Sequence, residues 1–473
     1  MDSRARSRKA PCSPRRRPAA LAAGVALAGA LAGSLAPAAR AQDAGINLIR
    51  DTEIEEILHR QADPVFVAAG LNPKDVKIHL NGDKSLNAFA TSGQNLFFNT
   101  GLIEETETPN QLLGVIAHET GHVAGGHMVR SGEMNNAGMK PFLLTMGLGI
   151  LAAVAGAPDA GAVLMGSAGQ FGTIGALGYS REQEARADQA AATYMSKAGM
   201  SGKGLVEFFD NFRYNEVFSE ARRFPFFQSH PISSERIEML RRRVEDQPNY
   251  DTPDSPQALA EHAIMKAKLE AFMNPPSLTF AKYKESDTSF PARYARAIAY
   301  YKALETDRAI KAIDALLADQ PENPYLWELK GQVLFEAGRP KEAEAPHRRS
   351  VELKPDAPLL RVNLAQALLA ENDKDKVDEA INVLEGALDR ERDNTFAWRL
   401  MAQARDARGE AGAARLAAAE EHFSVGDMNQ ARIFAMRARE LLPRNTPEWR
   451  RATDIVLVAD PSKDDLAAVK ERG

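Results

Sequence analysis

The chain has 473 residues, 44% hydrophobic and 26% charged, with one cysteine and a formal net charge of −5. That is ordinary globular composition with length for about three domains, which excludes a disordered or collagen-like protein. The first 41 residues carry eight Lys and Arg against one acid, so the remainder stands at −12 and is a poor candidate for binding nucleic acid.

The N-terminus predicts export. Residues 1–18 are basic, Ala19 to Leu35 is an uncharged Ala/Leu/Gly/Val run, and Ala39-Arg40-Ala41 puts small residues at the −3 and −1 positions of a cleavage site. This three-part pattern is a secretory signal, expected to be removed so that the mature chain starts near Gln42. The only cysteine, Cys12, lies inside that signal, so the mature protein has no thiol. Such a protein suits an oxidising compartment.

Leu86 to Phe98 reads as a β-hairpin whose edge could align an extended substrate by strand addition. Gln111 to Gly126, QLLGVIAHETGHVAGG, is apolar and free of proline, and predicts a buried helix. Within it His118 and His122 are four residues apart, about 40° around a helix, so both imidazoles leave one face. Two nitrogen ligands on a rigid face suit tetrahedral zinc, and Glu119 beside them can act as general base. Unpaired His and Glu in such an apolar setting are costly, and a metal with its water would satisfy them. His127, five residues after His122, would sit about 140° around a continuing helix and point away. It is expected to be structural or helix-terminal.

From Lys140 to Arg181 the only charge is Asp159. The segment is expected to double back as a short helical hairpin, either with a membrane-facing tip or packed into the core. Then Ser180 to Asp188, SREQEARAD, places Glu184 and Asp188 at i and i+4 on a second helix. Glu184 is the candidate third metal ligand, and Asp188 the candidate acceptor that fixes an imidazole tautomer. The alternative for this run alone is a solvated charged face.

Three prolines between Asp246 and Pro256 read as a linker, dividing residues 42–250 from 257–473. The second part repeats. Ala309 and Ala343, and Pro321 and Pro355, are 34 apart. Ile313 and Leu316 match His347 and Ser350, Trp327, Gly331 and Leu334 fill a first helix, and Gly426, Ala431, Ala435 and Ala438 end the array. A period of 34 with small residues at these offsets resembles that of tetratricopeptide repeats, stacked helix pairs that curve into a groove. In the third unit the second helix (Ala380, Leu384, Ala387) is expected three residues late, with an inserted turn at 374–376.

HETGH followed by SREQEARAD resembles the peptidase family of HtpX and the CAAX prenyl proteases, which joins HExxH to SRxxExxAD. Asn87-Ala88-Phe89-Ala90, Gly93 and Thr100-Gly101-Leu102 resemble that family's NAFA strand and TGL turn. Together with the export signal and the repeats, the chain resembles BepA-like periplasmic proteases of Gram-negative bacteria. The resemblance implies a mainly α fold, with a gluzincin-type metalloprotease domain carrying a small β-hairpin or sheet, followed by an α-solenoid of repeats. It implies one Zn2+ per chain held by His118, His122 and Glu184, with Glu119 as general base. It also draws in His230, as a fourth ligand holding the enzyme off or as an oxyanion donor, and Arg236 beside it. Implied partners are misfolded or stalled outer-membrane proteins and their assembly machinery; a peripheral membrane contact through 140–178 belongs to the membrane-facing alternative for that segment. The alternative function is a repeat-based chaperone or adaptor for envelope assembly whose protease site is largely shut.

Overall fold

The computed structural model describes residues 47–127, 180–218, 230–371 and 373–466, apart from Ser92, Ile232 and Asp464, together with residues 139 and 143–146. The export signal at 1–41, most of the segment 140–178 and Ser229 lie outside the described residues. Among the described residues no helix is long and apolar enough to cross a membrane.

The head of the molecule is a four-stranded sheet with helices against it. The strands are β1 (Leu48–Ile49), β2 (Lys77–Asn81), β3 (Ala88–Thr91) and β4 (Asn95–Asn99), in the order β1-β2-β4-β3. β2 runs parallel to β4, with Ile78 opposite Leu96, and β3 returns antiparallel along β4, with Ala88 opposite Phe98. The hairpin expected from Leu86 to Phe98 is therefore β3–β4, turned at Gly93 and Gln94, both at positive φ. Period-2 alternation sends Ala88, Ala90, Leu96 and Phe98 into the core. Phe89 and Phe97 stack at 4.8 Å on the other face.

Helices α1 (Thr52–Ala68), α2 (Thr100–Glu105) and α3 (Pro109–Ala124) complete the first half of the head. α3 starts where its sequence says it should. Thr108 Oγ1 accepts from the Gln111 amide at 3.2 Å, the Gln111 side chain accepts from the Glu107 amide at 2.9 Å, and Pro109 opens the first turn. Almost every residue from Pro109 to His122 is buried, because α4 (180–197) and α5 (Lys203–Phe218) close over it. The crossing with α4 occurs at Gly121. A Cβ there would meet Ala187 Cα at 3.0 Å and its carbonyl oxygen at 2.9 Å, so the two helices can approach this closely only at glycine. α6 (Ser234–Glu245) packs on α5 and buries Ile237, Leu240 and Val244 in the same core.

Residues 246–255 are not a free linker. Gln247 Nε2, Asn249 Nδ2 and the Tyr250 carbonyl bond to Ala192 O, Ser196 O and Ser201 Oγ at 2.9, 2.7 and 2.6 Å. The following helix, α7 (Pro256–Met273), inserts Met265 and Leu269 into the head's core. Burying two such side chains contributes on the order of 2–3 kcal/mol each. α7 also carries Lys268, 3% exposed, whose Nζ lies 2.8 Å from Asp51 and 3.0 Å from Glu53 of the head. Tyr294 donates its hydroxyl proton to the same Glu53 oxygen at 2.9 Å.

From there the chain is helical. After α8 (Pro276–Lys282), helices α9 (Phe290–Lys302), α10 (Thr306–Asp319), α11 (Pro324–Glu336), α12 (Pro340–Leu353), α13 (Pro358–Ala370) and α14 (Lys374–Leu388) stack in sequence. They are followed by α15 (Thr395–Ala407), α16 (Ala411–Ser424), α17 (Met428–Leu441) and α18 (Pro447–Val458). Ala309, Ile313, Leu316, Ala343, His347 and Ser350 are all buried, as the 34-residue frame requires. The frame also repeats a hydrogen bond: Trp327, Arg361 and Trp398 each donate to the carbonyl six residues earlier, at 2.8 Å. The expected insertion at 374–376 is corrected. Those residues are the first turn of α14, and Val377, Ile381 and Leu384 occupy the buried positions 34 after Ala343, His347 and Ser350. α15 then starts 37 rather than 34 residues after α13, so the extra residues lie in the loop at 389–394.

The repeats return to the head. Arg50 pairs with Glu391 and Lys77 with Asp393, each at 2.5 Å, and Lys354 pairs with Glu56 at 2.8 Å. Between β1, α1 and the inner helices α11, α13 and α15 lies a cleft of about 1360 Å³.

Candidate metal centre

One ligand atom from each of His118, His122, Glu184 and His230 lies within 4.8 Å of the others, and all four side chains are buried. His118 Nε2 is 3.2 Å from His122 Nε2 and 3.3 Å from His230 Nδ1. Glu184 places Oε2 3.4 Å from His118 Nε2 and Oε1 3.4 Å from His122 Nε2, and both its oxygens are 3.1 Å from His230 Nδ1. The histidines come together because the i, i+4 spacing puts them on one face of α3. Glu184 reaches them because α4 crosses at Gly121, between the two histidines. The charged run around it divides by face: Glu182 and Arg186 pair in solvent at 2.6 Å, while Glu184 and Asp188 point inward. His230 arrives from the segment before α6 and is 7% exposed.

Around these four atoms is a second set of contacts. Asp188 Oδ1 lies 2.9 Å from His118 Nδ1, on the side of the ring away from the cluster. Arg236, in the first turn of α6, grips Asp188 through Nε at 2.8 Å and Nη2 at 2.9 Å. Its Nη1 donates to the Pro231 carbonyl at 2.6 Å and lies 3.3 Å from Glu184. Ser233 caps α6 by accepting from the Arg236 amide, which fixes where the guanidinium starts.

The electrostatics follow from burial beside opposite charge. Burial opposes a proton on His118, yet the Asp188 and Glu184 carboxylates push it up to about 10. Burial alone would raise Glu184 and Asp188, but His118, His122 and His230 hold Glu184, and His118 and Arg236 hold Asp188, well below the usual carboxylate range. The cluster is therefore built around ionised carboxylates and calls for a cation.

Glu119 adjoins the cluster. Its carboxylate is fully buried, and neither oxygen has a hydrogen-bond partner among the described residues; His230 Nε2 lies 3.5 Å from Oε1. A buried carboxylate in that condition costs several kcal/mol unless something polar faces it. Three imidazole nitrogens, a carboxylate oxygen and an adjacent carboxylate lacking a partner fit a divalent metal with a water beside it.

The sequence-expected set of His118, Glu119, His122, Glu184, Asp188, His230 and Arg236 thus converges on one point. Asn87, Ala88, Phe89 and Ala90 lie at and in β3, the outer strand of the sheet, which packs on α3. His127 is a correction. It does not point away, because α3 ends at Ala124 and the rotation of a continuing helix does not apply. Its ring turns back, and Nδ1 lies 2.9 Å from His122 Nδ1. The readable signal was the Gly125-Gly126 pair directly before it.

Comparison with known proteins agrees with this geometry. Residues 49–244 match peptidase family M48, and residues 292–446 match the tetratricopeptide domain of cytochrome c-type biogenesis protein H. The chain is 26% identical over 359 residues to the beta-barrel assembly-enhancing protease of Escherichia coli K12, covering 74% of this chain and 72% of that one. It is 25% identical over 406 residues to the protein of the same name from Yersinia pestis, covering 83% and 80%. It is 32% identical over 176 residues to the E. coli metalloprotease LoiP, covering 36% of this chain and 63% of that one.

Proposed function

From a chain whose residues 49–244 belong to peptidase family M48, we infer a zinc-dependent endopeptidase of the bacterial periplasm that acts on outer-membrane proteins during their assembly. One observation carries the reading: four donor atoms within 4.8 Å, with Glu119 buried beside them. The donor set of imidazole and carboxylate favours zinc among divalent ions. The substrate class and compartment rest on the names of the relatives and on the N-terminal signal at 1–41.

His118, His122 and Glu184 would hold the ion. When bound, the ion supplies Lewis acidity towards a water and a peptide carbonyl. Glu119 accepts the proton of the attacking water and passes it to the departing amine nitrogen. Asp188 orients His118, and Arg236 anchors both carboxylates. Its donors are committed to Asp188, Glu184 and Pro231, which favours a positioning role over that of an oxyanion donor. An extended substrate pairs along β3, beside Asn87 to Ala90, by strand addition. The cleft between head and repeats offers a second place to hold a non-native chain, and the repeats supply docking to the assembly machinery. Treating the purified chain with a chelator should abolish cleavage of an unfolded substrate such as casein, and Zn2+ should restore it. Cleavage that survives complete metal removal would sink the reading.

His230 favours a second reading alongside the first. A fourth donor completes a tetrahedral shell and leaves no open position, as in structural sites. The chain would then rest as a repeat-based chaperone or adaptor and cleave only when the segment bearing His230 moves. His230→Ala is expected to raise basal cleavage or self-cleavage while the metal stays bound. A fall of ~10²–10³ would instead make His230 an oxyanion donor. Unchanged activity would exclude both roles.

A further inference from the structure

We propose that His127 is a positioning residue of the metal centre, fixing the tautomer and aim of His122. The inference rests on the metal-binding reading given above, and it begins with the backbone. α3 ends in a Schellman turn: Gly126 lies at φ +65°, its amide donates to Val123 O at 3.0 Å, and the His127 amide donates to His122 O at 3.1 Å. A residue closing such a turn lies over the last turn of its helix. Here that residue is His127, and it holds His122 twice, through the backbone carbonyl and through the ring, with Nδ1 2.9 Å from Nδ1.

The proton positions follow from the chemistry of the neighbours. His122 Nε2 faces the cluster, 3.2 Å from His118 Nε2 and 3.4 Å from Glu184. To ligate, that nitrogen must carry a lone pair, so the proton of a neutral His122 sits on Nδ1. His122 then donates, and His127 Nδ1 accepts, which leaves the proton of His127 on Nε2. The two ligand imidazoles are thus oriented by different means: His118 by the Asp188 carboxylate, His122 by a neutral imidazole. The glycines are part of the device. A Cβ at residue 125 would stand 2.6 Å from His127 Nε2, and a side chain at 126 would be strained at its positive φ.

The test is zinc affinity, read by competition with a chromophoric chelator on the full mature chain, with the melting temperature of the metal-free protein measured alongside. His127→Phe keeps the ring and removes the acceptor. It should weaken zinc binding about 10–100-fold, as loss of an outer partner of a metal-bound histidine generally does. His127→Asn, which restores an acceptor oxygen, should recover part of that loss. Gly125→Ala, which presses on the His127 ring, should weaken binding in the same direction. His127→Phe binding zinc within twofold of the wild type would overturn the inference while leaving the metal reading intact. A wild type that binds no zinc would overturn both. If the phenylalanine variant does not fold, ¹⁵N chemical shifts of the histidines in the zinc-loaded wild type decide. A proton on His122 Nδ1 and on His127 Nε2 supports the assignment, and the opposite tautomer of either ring overturns it.

Discussion

Glu119→Gln is expected to keep its metal and lose proteolysis, while Glu184→Ala loses both. The two carboxylates lie side by side but differ in their contacts. Glu184 sits among three imidazoles at 3.1–3.4 Å, so removing it deletes an anionic donor and leaves His118 facing Asp188 alone. Glu119 touches the cluster only at 3.5 Å, so the amide isostere leaves the donors in place and removes the base. Loss of a general base lowers turnover ~10²–10⁴-fold. Metal content by elemental analysis, together with casein cleavage, separates the two outcomes. Full metal stoichiometry with normal cleavage in Glu184→Ala would show that the third ligand lies elsewhere.

The largest expected loss of stability follows Lys268→Ala. Lys268 is almost wholly buried and answers two head carboxylates, Asp51 and Glu53, of which Glu53 is also buried. Burial raises the Glu53 carboxyl, and the neighbouring Lys268 ammonium opposes that rise. Removing one member of a buried charge cluster costs ~3–5 kcal/mol, because the remaining charge is left without a partner. Chemical unfolding should show that loss, and Glu53→Gln combined with Lys268→Met should recover part of it. A change under ~1 kcal/mol in Lys268→Ala would mean that water reaches the cluster, as it does for exposed pairs.

How much of this was legible depended on sequence distance. HExxH and the Glu184/Asp188 pair were readable because helical periodicity alone decides which side chains share a face. The repeats were readable for the same reason, and the one misplacement, at 374–376, came from anchoring on Ala380 rather than Val377. His127 was misread because a rotation angle holds only while the helix continues, and the two glycines that end α3 were not weighed. The union of head and repeats was not readable. Lys268 is 215 residues from Glu53, and nothing local in either segment marks them as partners. The prolines between 246 and 256 read as a linker dividing the two parts. In the fold those residues are bonded to α4 and to Ser201 in the loop after it, and Met265 and Leu269 belong to the head's core.

The pairs Arg50–Glu391 and Lys77–Asp393 give the array a property that open solenoids lack. An open solenoid tolerates gain or loss of a unit, since each repeat touches only its neighbours. Here the arc leaves the head at α7, touches Glu56 of α1 through Lys354, and is tied to the head again after α14, so the path closes into a ring. Inserting one 34-residue unit between α11 and α15 would carry Glu391 and Asp393 past Arg50 and Lys77, and would widen the cleft. The number of units inside the ring is therefore set by the size of the head, as a hoop is cut to its barrel. Lengthening without reopening the ring is confined to the stretch beyond α16, where added units would extend outward and leave the cleft unchanged.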